Sequence, residues 1–590
     1  MGIGMEIHIA DSNNFVVSSN DKDLLEDMQA RMDGKKVYMK NQILIPFKSG
    51  PKIFRYSKYD IYFGDGTRDI LKKVVDNIQD RKVKIIQCRN EYGKFSDIDY
   101  DYKGIYDKPL LHQVVMFNVI MRCDAAALLA DPGTCKTGPY LWAIDKRIQD
   151  GIIKKALVIT LSPLRKNVVE EIKIQIPHLS SVILKNKTQS NKVLNKTYKV
   201  KKKNIDYDIY VANYESMFSI VDLIDDDYFD MIILDEAHRI GAPTSRQTKA
   251  IIKKFEYCKF KYIVSGTLTA NNLMSFYMPF RLMGPDTVPY ANYYEFRRQN
   301  MRTVDPDARI WVPNPGSKEL VTNIIGNLSV MFKKEECLDL PPIIYQEYKC
   351  KMTPDQSNLY KEMKDDLISI INNMCDKCNK KDKCDGSCEE EIVANNALVL
   401  AGKLRQIALG FYINTRIKVD DLGRRTNNSN IITLDENPKL KLLIQILNNI
   451  PPDRKVIIWS SYIHAIDMVL NTISDAFGKD CVLSCYKDQD AFDQVEKFKD
   501  PTKRFIVSNP VKMGVGLNIH FSNYQIFFNN SYSWIERNQA LARQHREGQT
   551  NTVTAIDIIM EKTIEEMIMK AIYGKRDLSF TLSQLARVLK

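Results

Sequence analysis

Apolar residues occur along this chain in short runs, each of which ends in a small or polar turn. Runs of this kind are typical of strands that are buried on both faces of a parallel sheet. Helical segments follow several of them, which is the arrangement expected of an α/β fold. The runs lie within residues 125–137, 156–162, 208–216, 231–240 and 262–267 of the first half and within 456–462, 505–508 and 526–529 of the second.

The chain has 590 residues, which is too long for a single hydrophobic core. In its N-terminal part, short apolar and aromatic runs broken by Asn, Asp and Gly predict strands, and helices are predicted between Leu24 and Met32 and between Ile70 and Ile78. The predicted parts are a small N-terminal α+β domain (1–95), a first parallel-sheet lobe (100–300), an inter-lobe segment with a cysteine-rich insert (301–435) and a second parallel-sheet lobe (436–590).

Composition narrows the class of protein before any motif is considered. Hydrophobic residues make up 44% of the chain and charged residues 27%, which is ordinary for a soluble globular protein. No apolar run reaches the roughly 18 residues that a membrane span requires, and the first residues show no secretory signal. The net charge of +12 favours a polyanionic partner, although a chain that is merely rich in lysine would have the same surplus. We therefore expect a cytoplasmic protein with no membrane partner.

A candidate phosphate-binding loop follows the first apolar run, in the sequence AAALLADPGTCKT. In such a loop, backbone N–H groups face the phosphates of a nucleotide at the start of a helix. Lys136 is expected to pair with the β- and γ-phosphates, and the Thr137 hydroxyl is expected to bind Mg²⁺. Considered alone, the segment fits an ordinary strand–turn–helix equally well. The remaining loop residues expected around the phosphates are Gly133, Thr134 and Cys135.

Cys135 departs from the usual form of this loop, which has glycine before the lysine. If the loop requires a left-handed backbone at Cys135, a side chain there costs of order 1 kcal/mol or more. About twenty residues ahead of the loop, Gln113 is expected to read adenine, because its amide offers both a donor and acceptors.

Two adjacent carboxylates end the apolar run in MIILDEAHRI. The carboxyl ends of parallel strands are where α/β proteins bind their ligands. Asp235 is expected to hold Mg²⁺, directly or through water, and Glu236 to orient and deprotonate an attacking water molecule. His238 would couple the nucleotide to the part of the protein that lies beyond the acidic pair. With the loop, these residues predict an ATP-hydrolysing site.

A third group of candidate residues lies in QALARQHREGQ, near the C-terminus. Gln539 and Arg543 are spaced i, i+4 and share one helix face, and Arg546 follows one turn later. Such arginines suit a γ-phosphate reached from across a lobe interface, where an arginine finger is worth roughly 10³–10⁵ in rate. A surface helix with solvated arginines is the alternative. Upstream, in MGVGLNI, Gly514 and Gly516 permit close approach of the backbone to nucleotide or DNA.

Four cysteines lie within fourteen residues, in the pattern C-x₂-C-x₅-C-x₃-C. In a reduced protein this spacing favours a tetrahedral Zn²⁺ site, which would be structural because four thiolates leave no open position. Free thiols in a flexible loop, or redox pairs, are the alternatives. The predicted zinc ligands are Cys375, Cys378, Cys384 and Cys388.

Together and in this order, the motifs resemble the Swi/Snf-like DNA translocases of helicase superfamily two. The resemblance covers about residues 105–300 and 435–575. It implies two tandem RecA-like lobes with ATP and Mg²⁺ between them, and double-stranded or branched DNA as the track. A viral, phage or bacterial factor of recombination, repair or replication is favoured over a nucleosome remodeller. The segments that carry the resemblance are DPGTCKT, LSPLRKN, NYES, DEAHRI, SGTLTANN, LRQI, KLKLL and TIEEMI.

Two other functions stay open from the sequence. Cys135 in place of glycine could leave the phosphate loop too weak for turnover, which would make the chain a nucleic-acid-binding scaffold with a vestigial ATPase. An RNA-dependent motor would carry the same nucleotide-binding motifs.

Overall fold

The computed structural model divides the chain into two compact units, Met1–Leu338 and Asp339–Lys590. Each unit contains its own parallel sheet. The residues that the structure describes are 4–10, 14–31, 35–36, 42–46, 60–91, 98–102, 108–194, 199–200, 203–204, 206–256, 258–266, 273–284, 287–288, 290, 292–303, 311–365, 400–419, 425–487, 489–513 and 517–574.

The N-terminal part of the first unit is a five-stranded sheet with one helix packed on it. Its elements are β1 (Gly4–Ile9), β2 (Asn14–Ser19), α1 (Lys22–Arg31), β3 (Lys35–Lys36), β4 (Gln42–Pro46) and β5 (Asp60–Phe63). The strand order is β3-β4-β2-β1-β5, and only the β1–β5 pairing is parallel. Alternate residues of β2 are buried, so that Phe15 and Val17 share a small core with Leu24 and Met28 of α1.

Seven parallel strands form the main sheet of the first unit. They are β6 (Ala125–Ala130), β7 (Ala156–Thr160), β8 (Ser181–Ile183), β11 (Ile209–Asn213), β12 (Met231–Asp235), β13 (Phe260–Ser265) and β16 (Ser329–Phe332). Their order is β16-β6-β13-β12-β7-β11-β8. Every residue of β7, β11, β12 and β13 is buried, as the unbroken apolar runs predict for strands covered on both faces.

Helices and two short antiparallel ribbons complete the first unit. The ribbons are β9 (Lys199–Val200) with β10 (Lys203–Asn204), and β14 (Met301–Thr303) with β15 (Trp311–Pro313). The helices are α2 (Thr67–Asn90), α3 (Leu111–Arg122), α4 (Thr137–Gln149), α5 (Arg165–Gln175), α6 (Lys187–Leu194), α7 (Tyr214–Ile220), α8 (Arg246–Phe255), α9 (Tyr277–Met283), α10 (Tyr293–Asn300), α11 (Ser317–Leu328) and α12 (Lys334–Cys337).

Helix α2 is much longer than the helix predicted between Ile70 and Ile78. Its second half packs against the main sheet rather than the N-terminal sheet, because Ile85 and Cys88 are buried in the same core as α3 and β6. A hydrogen-bonded ion pair of 2.9 Å between Arg81 and Asp124 holds the same end. Polar residues interrupt the apolar periodicity of α2, so the helix predicted from that periodicity ends too early.

The end of the first unit also lies later in the chain than the apolar pattern indicates. Strand β16 pairs in parallel with β6, with Val330 opposite Leu128. Residues 301–338, which the sequence analysis placed in the inter-lobe segment, therefore belong to the first unit. A strand of only four residues, two of them buried, gives too weak a signal to be assigned to a sheet from the sequence.

The second unit contains a six-stranded parallel sheet in the order β17-β24-β23-β20-β22-β21. Residues of the predicted inter-lobe segment contribute here too, since β17 pairs with β24 along eight residues. An antiparallel ribbon, β18–β19, stands outside the sheet. The strands are β17 (Ile343–Cys350), β18 (Phe411–Val419), β19 (Arg425–Thr433), β20 (Val456–Trp459), β21 (Val482–Cys485), β22 (Phe505–Ser508), β23 (Tyr524–Phe527) and β24 (Val553–Met560).

The helices of the second unit are α13 (354–365), α14 (400–408), α15 (Pro438–Asn449), α16 (Ile463–Phe477), α17 (Ala491–Phe498), α18 (Pro510–Met513), α19 (Trp534–Gln544) and α20 (Ile564–Tyr573). Among the helices that the structure describes, none combines the length and the apolar character needed to cross a membrane. The four predicted zinc ligands, Cys375, Cys378, Cys384 and Cys388, lie outside the described residues, so the zinc site stays a prediction.

Candidate nucleotide-binding site

The predicted phosphate loop connects the end of β6 to the start of α4. Its backbone is left-handed at two positions, Gly133 with φ of 90° and Cys135 with φ of 55°. The position where a glycine is usual is therefore one where a side chain strains the backbone. Lys136 folds back over the loop and donates from Nζ to the carbonyl oxygen of Ala130 over 2.9 Å. Thr137 is the first residue of α4, where N–H groups without helical partners suit phosphate oxygens.

Helix α3 holds this loop through two buried side chains. Nε2 of His112 lies 2.9 Å from the carbonyl oxygen of Thr134. Gln113 donates from Nε2 to the carbonyl oxygen of Cys135 over 3.0 Å and accepts from the Leu110 N–H through Oε1. Burial lowers the pKa of His112, which favours its neutral form. The expected reading of adenine by Gln113 stays a prediction, because in this structure both ends of its amide contact the protein.

A second support comes from the end of β16. The backbone N–H of Asp131 donates to the carbonyl oxygen of Phe332 over 3.1 Å, and the Asp131 carboxylate accepts from the N–H of Lys334 over 3.0 Å. The ring of Phe332 also lies against His112. The segment after α11 thus fixes the start of the phosphate loop.

The acidic pair lies at the end of β12. In the sheet, β13 separates β12 from β6, the strand that leads to the phosphate loop. Asp235 and Glu236 are both buried, and Glu236 has φ of 55°. The pKa of Asp235 is raised to about 6 by burial and by the charge of Glu236, while Lys136 and a hydrogen bond from Thr160 oppose the rise. The Thr160 hydroxyl donates to the Asp235 carboxylate over 3.1 Å. Nδ1 of His238 lies 3.3 Å from the Glu236 carboxylate.

The NYES turn at the end of β11 supports the acidic pair from the neighbouring side. Tyr214, which is fully buried, donates its hydroxyl to the main-chain carbonyl oxygen of Asp235 over 2.7 Å. Glu215 pairs with Arg239 over 2.8 Å and accepts from Asn213 over 2.8 Å. Two motifs that are separated in the sequence therefore position one another at the carboxyl edge of the sheet.

Gly266 closes the site beside the loop. A Cβ atom at Gly266 would lie 2.8 Å from Cδ of Pro132 and 2.9 Å from the carbonyl oxygen of Ala130, so only glycine fits there. The end of β13 is thereby packed directly against the phosphate loop. Thr267 and Asn272, which belong with Gly266 to the segment SGTLTANN, lie outside the described residues.

The predicted arginines of the second unit lie together. Arg543 donates to the carbonyl oxygen of Gln539 over 2.9 Å, and both Arg543 and Arg546 donate to the carbonyl oxygen of Leu517, over 3.4 and 3.2 Å. Arg543 is buried, whereas Arg546 is half-buried. Leu517 directly follows Gly516; Gly514 and Gly516 fall outside the described residues.

The sequence profile of the SNF2-related domain matches residues 67–409, which is more than half of the chain. The chain belongs to the SNF2-related family. The match begins at Thr67, the first residue of α2, so it leaves out the N-terminal sheet.

Individual relatives of this SNF2-related chain are distant. DNA repair and recombination protein RAD54B of Gallus gallus is 23% identical over 405 residues, which are 65% of this chain and 43% of that protein. ATP-dependent helicase fft1 of Schizosaccharomyces pombe is 24% identical over 521 residues, 80% of this chain and 52% of that one. The chain thus spans about half the length of these curated relatives, or less. The Sulfolobus solfataricus SWI2/SNF2 ATPase core in complex with dsDNA is 20% identical, with a TM-score of 0.37 and coverage of 84% of this chain and 97% of that one.

Several residues of this SNF2-related site were not predicted. His112, Thr160 and Tyr214 contact the loop or the acidic residues, yet none of them was named as a site residue, although Tyr214 belongs to the NYES segment that carries the resemblance. The polar character of Thr160 at the end of a buried strand was the one available signal, because strand ends at this edge bind ligands.

Proposed function

We propose that this chain hydrolyses ATP in response to DNA and uses the energy to move along, or remodel, double-stranded or branched DNA. Membership of the SNF2-related family supports the coarse class. The observation that carries the proposal is the juxtaposition of Lys136 with Asp235. Lys136 lies in the loop after β6 and Asp235 ends β12, the strands on either side of β13, and the charge of Lys136 opposes the rise in the pKa of Asp235. A cation and a carboxylate placed at one sheet edge beside a phosphate loop suit Mg²⁺ and a triphosphate.

The residues present fit ATP and Mg²⁺. Left-handed backbone at Gly133 and Cys135 supports a turn of the kind in which successive N–H groups bind an anion, and the absence of a side chain at Gly266 lets β13 lie against this loop. The Thr137 hydroxyl and the Asp235 carboxylate are oxygen ligands of the type that Mg²⁺ prefers. When bound, Mg²⁺ would neutralise charge on the β- and γ-phosphates.

Glu236 is the candidate general base. Its carboxylate is buried, lies beside Nδ1 of His238, and follows the strand that ends in Asp235. In this role Glu236 accepts a proton from the attacking water molecule, and Lys136 leaves the Ala130 carbonyl to pair with phosphate oxygens. Arg543 and Arg546 are proposed to act on the γ-phosphate; within the second unit both donate to the carbonyl oxygen of Leu517.

Phosphate release is the decisive measurement. Wild-type protein is assayed alone, with duplex DNA, with forked DNA and with RNA, beside the Glu236→Gln variant. Glu236→Gln keeps the size of the side chain and one acceptor oxygen but removes the basic carboxylate, so nucleotide binding is expected to persist. DNA-stimulated release in the wild type that is lost in Glu236→Gln, by roughly 100-fold or more, is the expected result.

Other outcomes point to the other functions. Wild-type protein that binds DNA without releasing phosphate would favour the scaffold, in which Cys135 weakens the loop. Stimulation by RNA and not by duplex DNA would favour an RNA-dependent motor. Arg546→Ala tests the second unit separately, since it is expected to reduce turnover by roughly 10³-fold or more while ATP still binds.

The same proposal includes finer features that follow from the sequence. Recombination, repair or replication is the proposed setting, in a bacterial cell or in a cell infected by a virus or phage. The four cysteines of the insert are proposed to hold a structural Zn²⁺.

A further inference from the structure

An exposed tyrosine, an arginine and a tryptophan form a stack on the first unit, outside the nucleotide site. The guanidinium carbon of Arg297 lies 5.4 Å from the ring centroid of Tyr294 and 4.3 Å from that of Trp311. Tyr294 and Arg297 are one turn apart on α10, and Trp311 begins β15. Tyr294 is nevertheless 60% exposed and is therefore open to solvent.

Further contacts connect the stack to the rest of the first unit. The ring of Tyr293 meets that of Tyr294 edge to face at 5.7 Å, and the hydroxyl of Tyr293 contacts the sulfur of Met274 at 3.2 Å. Asn314, just after β15, donates from its backbone N–H to the carbonyl oxygen of Asn300 over 2.8 Å and from its side chain to that of Gln299 over 3.0 Å. Helix and ribbon are thus joined, and the aromatic surface is prepared before any ligand arrives.

Helix α10 and strand β14, which carry part of the stack or adjoin it, have a surplus of positive charge. Along the described residues 292–303 there are three arginines and one carboxylate, and that carboxylate, Glu295, is buried and accepts from Gln299 over 3.0 Å. Arg298 follows Tyr294 by four residues, so it stands one turn along the same face, and it is exposed. An open aromatic ring with cations at its edge matches a base attached to a phosphate backbone.

We propose that Tyr294 stacks with an unpaired base of the DNA substrate while Arg298 contacts the adjacent phosphate. Bases inside a duplex are already stacked on one another, so a surface ring can receive only a base in a single-stranded stretch. The site therefore selects DNA that contains a single-stranded arm or gap. This inference rests on the proposed function, in that DNA is the polymer bound, and it adds which structure of DNA is preferred.

The experiment measures the affinity of the full chain for a short oligothymidylate, for a blunt duplex and for a fork with one single-stranded arm. Tyr294→Ala is compared with Tyr294→Phe, which keeps the ring, and with Tyr62→Ala. Tyr62 is a matched control because it is 62% exposed on the N-terminal sheet. Tyr294→Ala is expected to weaken binding to the oligothymidylate and to the fork by roughly 5- to 150-fold, the range for removal of one stacking ring. Both other variants and all duplex affinities should stay within about twofold.

A second readout identifies the contact itself. Oligothymidylate that carries one 5-iodouracil is irradiated with the protein, and the crosslinked peptide is found by mass spectrometry. Crosslinking to Tyr294 is expected, since the photoproduct forms with a stacked aromatic ring. Arg298→Ala should lower the slope of log affinity against log salt by about one, as loss of one phosphate contact does.

The inference is overturned if Tyr294→Ala binds the oligothymidylate like the wild type, if all three DNAs lose affinity equally, or if the wild type does not bind oligothymidylate. Phosphate release stimulated by blunt duplex separates this failure from that of the proposed function. If stimulation persists in Tyr294→Ala while the fork preference does not depend on the ring, only the stacking site is wrong.

Discussion

The side-chain amide of Gln113 donates a hydrogen bond to the carbonyl oxygen of Cys135 over 3.0 Å, so helix α3 fixes the most strained residue of the phosphate loop. A buried hydrogen bond whose donor is removed costs about 1–3 kcal/mol when the acceptor stays unsatisfied. We expect Gln113→Ala to raise the dissociation constant for ATP by about 10-fold, measured by titration with a fluorescent nucleotide. Gln113→Glu should behave similarly, because an ionised carboxylate has no proton to donate to the Cys135 carbonyl. Unchanged affinity in both variants would show that the loop holds its shape without α3.

Cys135→Gly is expected to strengthen nucleotide binding. Glycine adopts a φ of 55° without the steric cost that cysteine carries, which is about 1 kcal/mol. The free energy of unfolding should rise by a similar amount, reduced by the free-energy cost of the extra conformational entropy that glycine gives to the unfolded chain. The ATP affinity should rise by up to about fivefold. Cys135→Ala is the matched control, since alanine keeps the Cβ atom and with it the strain. Equal affinity in the glycine and alanine variants would mean that strain at this position does not limit binding.

Asp235 gives a pH dependence that can be tested in Mg²⁺-free buffer. Its pKa is about 6 in the folded protein, raised by burial and by the Glu236 charge, and about 3.9 in an unfolded chain. Between these values the folded state holds a proton that the unfolded state has released, so the free energy of unfolding falls as the pH rises, by up to about 3 kcal/mol. Above about pH 6 the loss is complete.

Comparing the wild type with Asp235→Asn isolates this contribution from other carboxylates. The difference between their melting temperatures should change between pH 4 and pH 6 and then level off. Thr160→Val removes the hydrogen bond that opposes the pKa rise, so the midpoint should move to higher pH. A difference that stays flat across this range would contradict the assignment.

A buried ion pair in the second unit links α15 to α20. Nζ of Lys439 lies 2.8 Å from both carboxylate oxygens of Glu565, and neither side chain is more than 9% exposed. Lys439→Met should lower the free energy of unfolding by about 3–5 kcal/mol, because an unpaired charge is left buried. Adding Glu565→Gln should restore part of the loss, since Gln keeps the acceptor for the N–H of Met560. Chemical denaturation measures both variants.

The exposed pair of Lys499 and Glu496 serves as the comparison for that experiment. It has a similar distance of 2.7 Å, but its side chains are 54% and 49% exposed. Lys499→Met is expected to change stability by no more than about 0.5 kcal/mol. Equal effects of Lys499→Met and Lys439→Met on the free energy of unfolding would mean that the burial of the Lys439–Glu565 pair does not raise the cost of breaking it.

The zinc prediction is checked by elemental analysis of protein purified under reducing conditions. One zinc per chain is expected, with complete loss in the Cys375→Ser/Cys378→Ser variant. Because four thiolates would fold a polar insert that has no apolar core of its own, removal of the metal should also make the insert sensitive to protease. Reduced wild-type protein without metal would exclude the site.

The sequence alone predicted the strands that carry the chemistry. Runs such as those in β7 and β12 are unbroken and apolar, and a strand covered by helices on both faces must be so. Lys136, Asp235 and Glu236 could be named because they lie at the ends of such strands or in the loop that follows, and the parallel arrangement brings those ends to one edge of the sheet. These are local features, in which a residue's neighbours in the chain already decide its place.

Contacts between distant segments were decided only by the tertiary structure. The partner of Lys439 is 126 residues away, and β16, with its four residues, joins the sheet beside β6 by a pairing that no local pattern records. The hold of Gln113 on Cys135 is of the same kind: a glutamine has the same appearance in the sequence whether its amide meets a nucleotide or a backbone carbonyl. Which polar group a buried side chain meets depends on how helices and strands pack, and packing is a property of the whole fold rather than of any one segment.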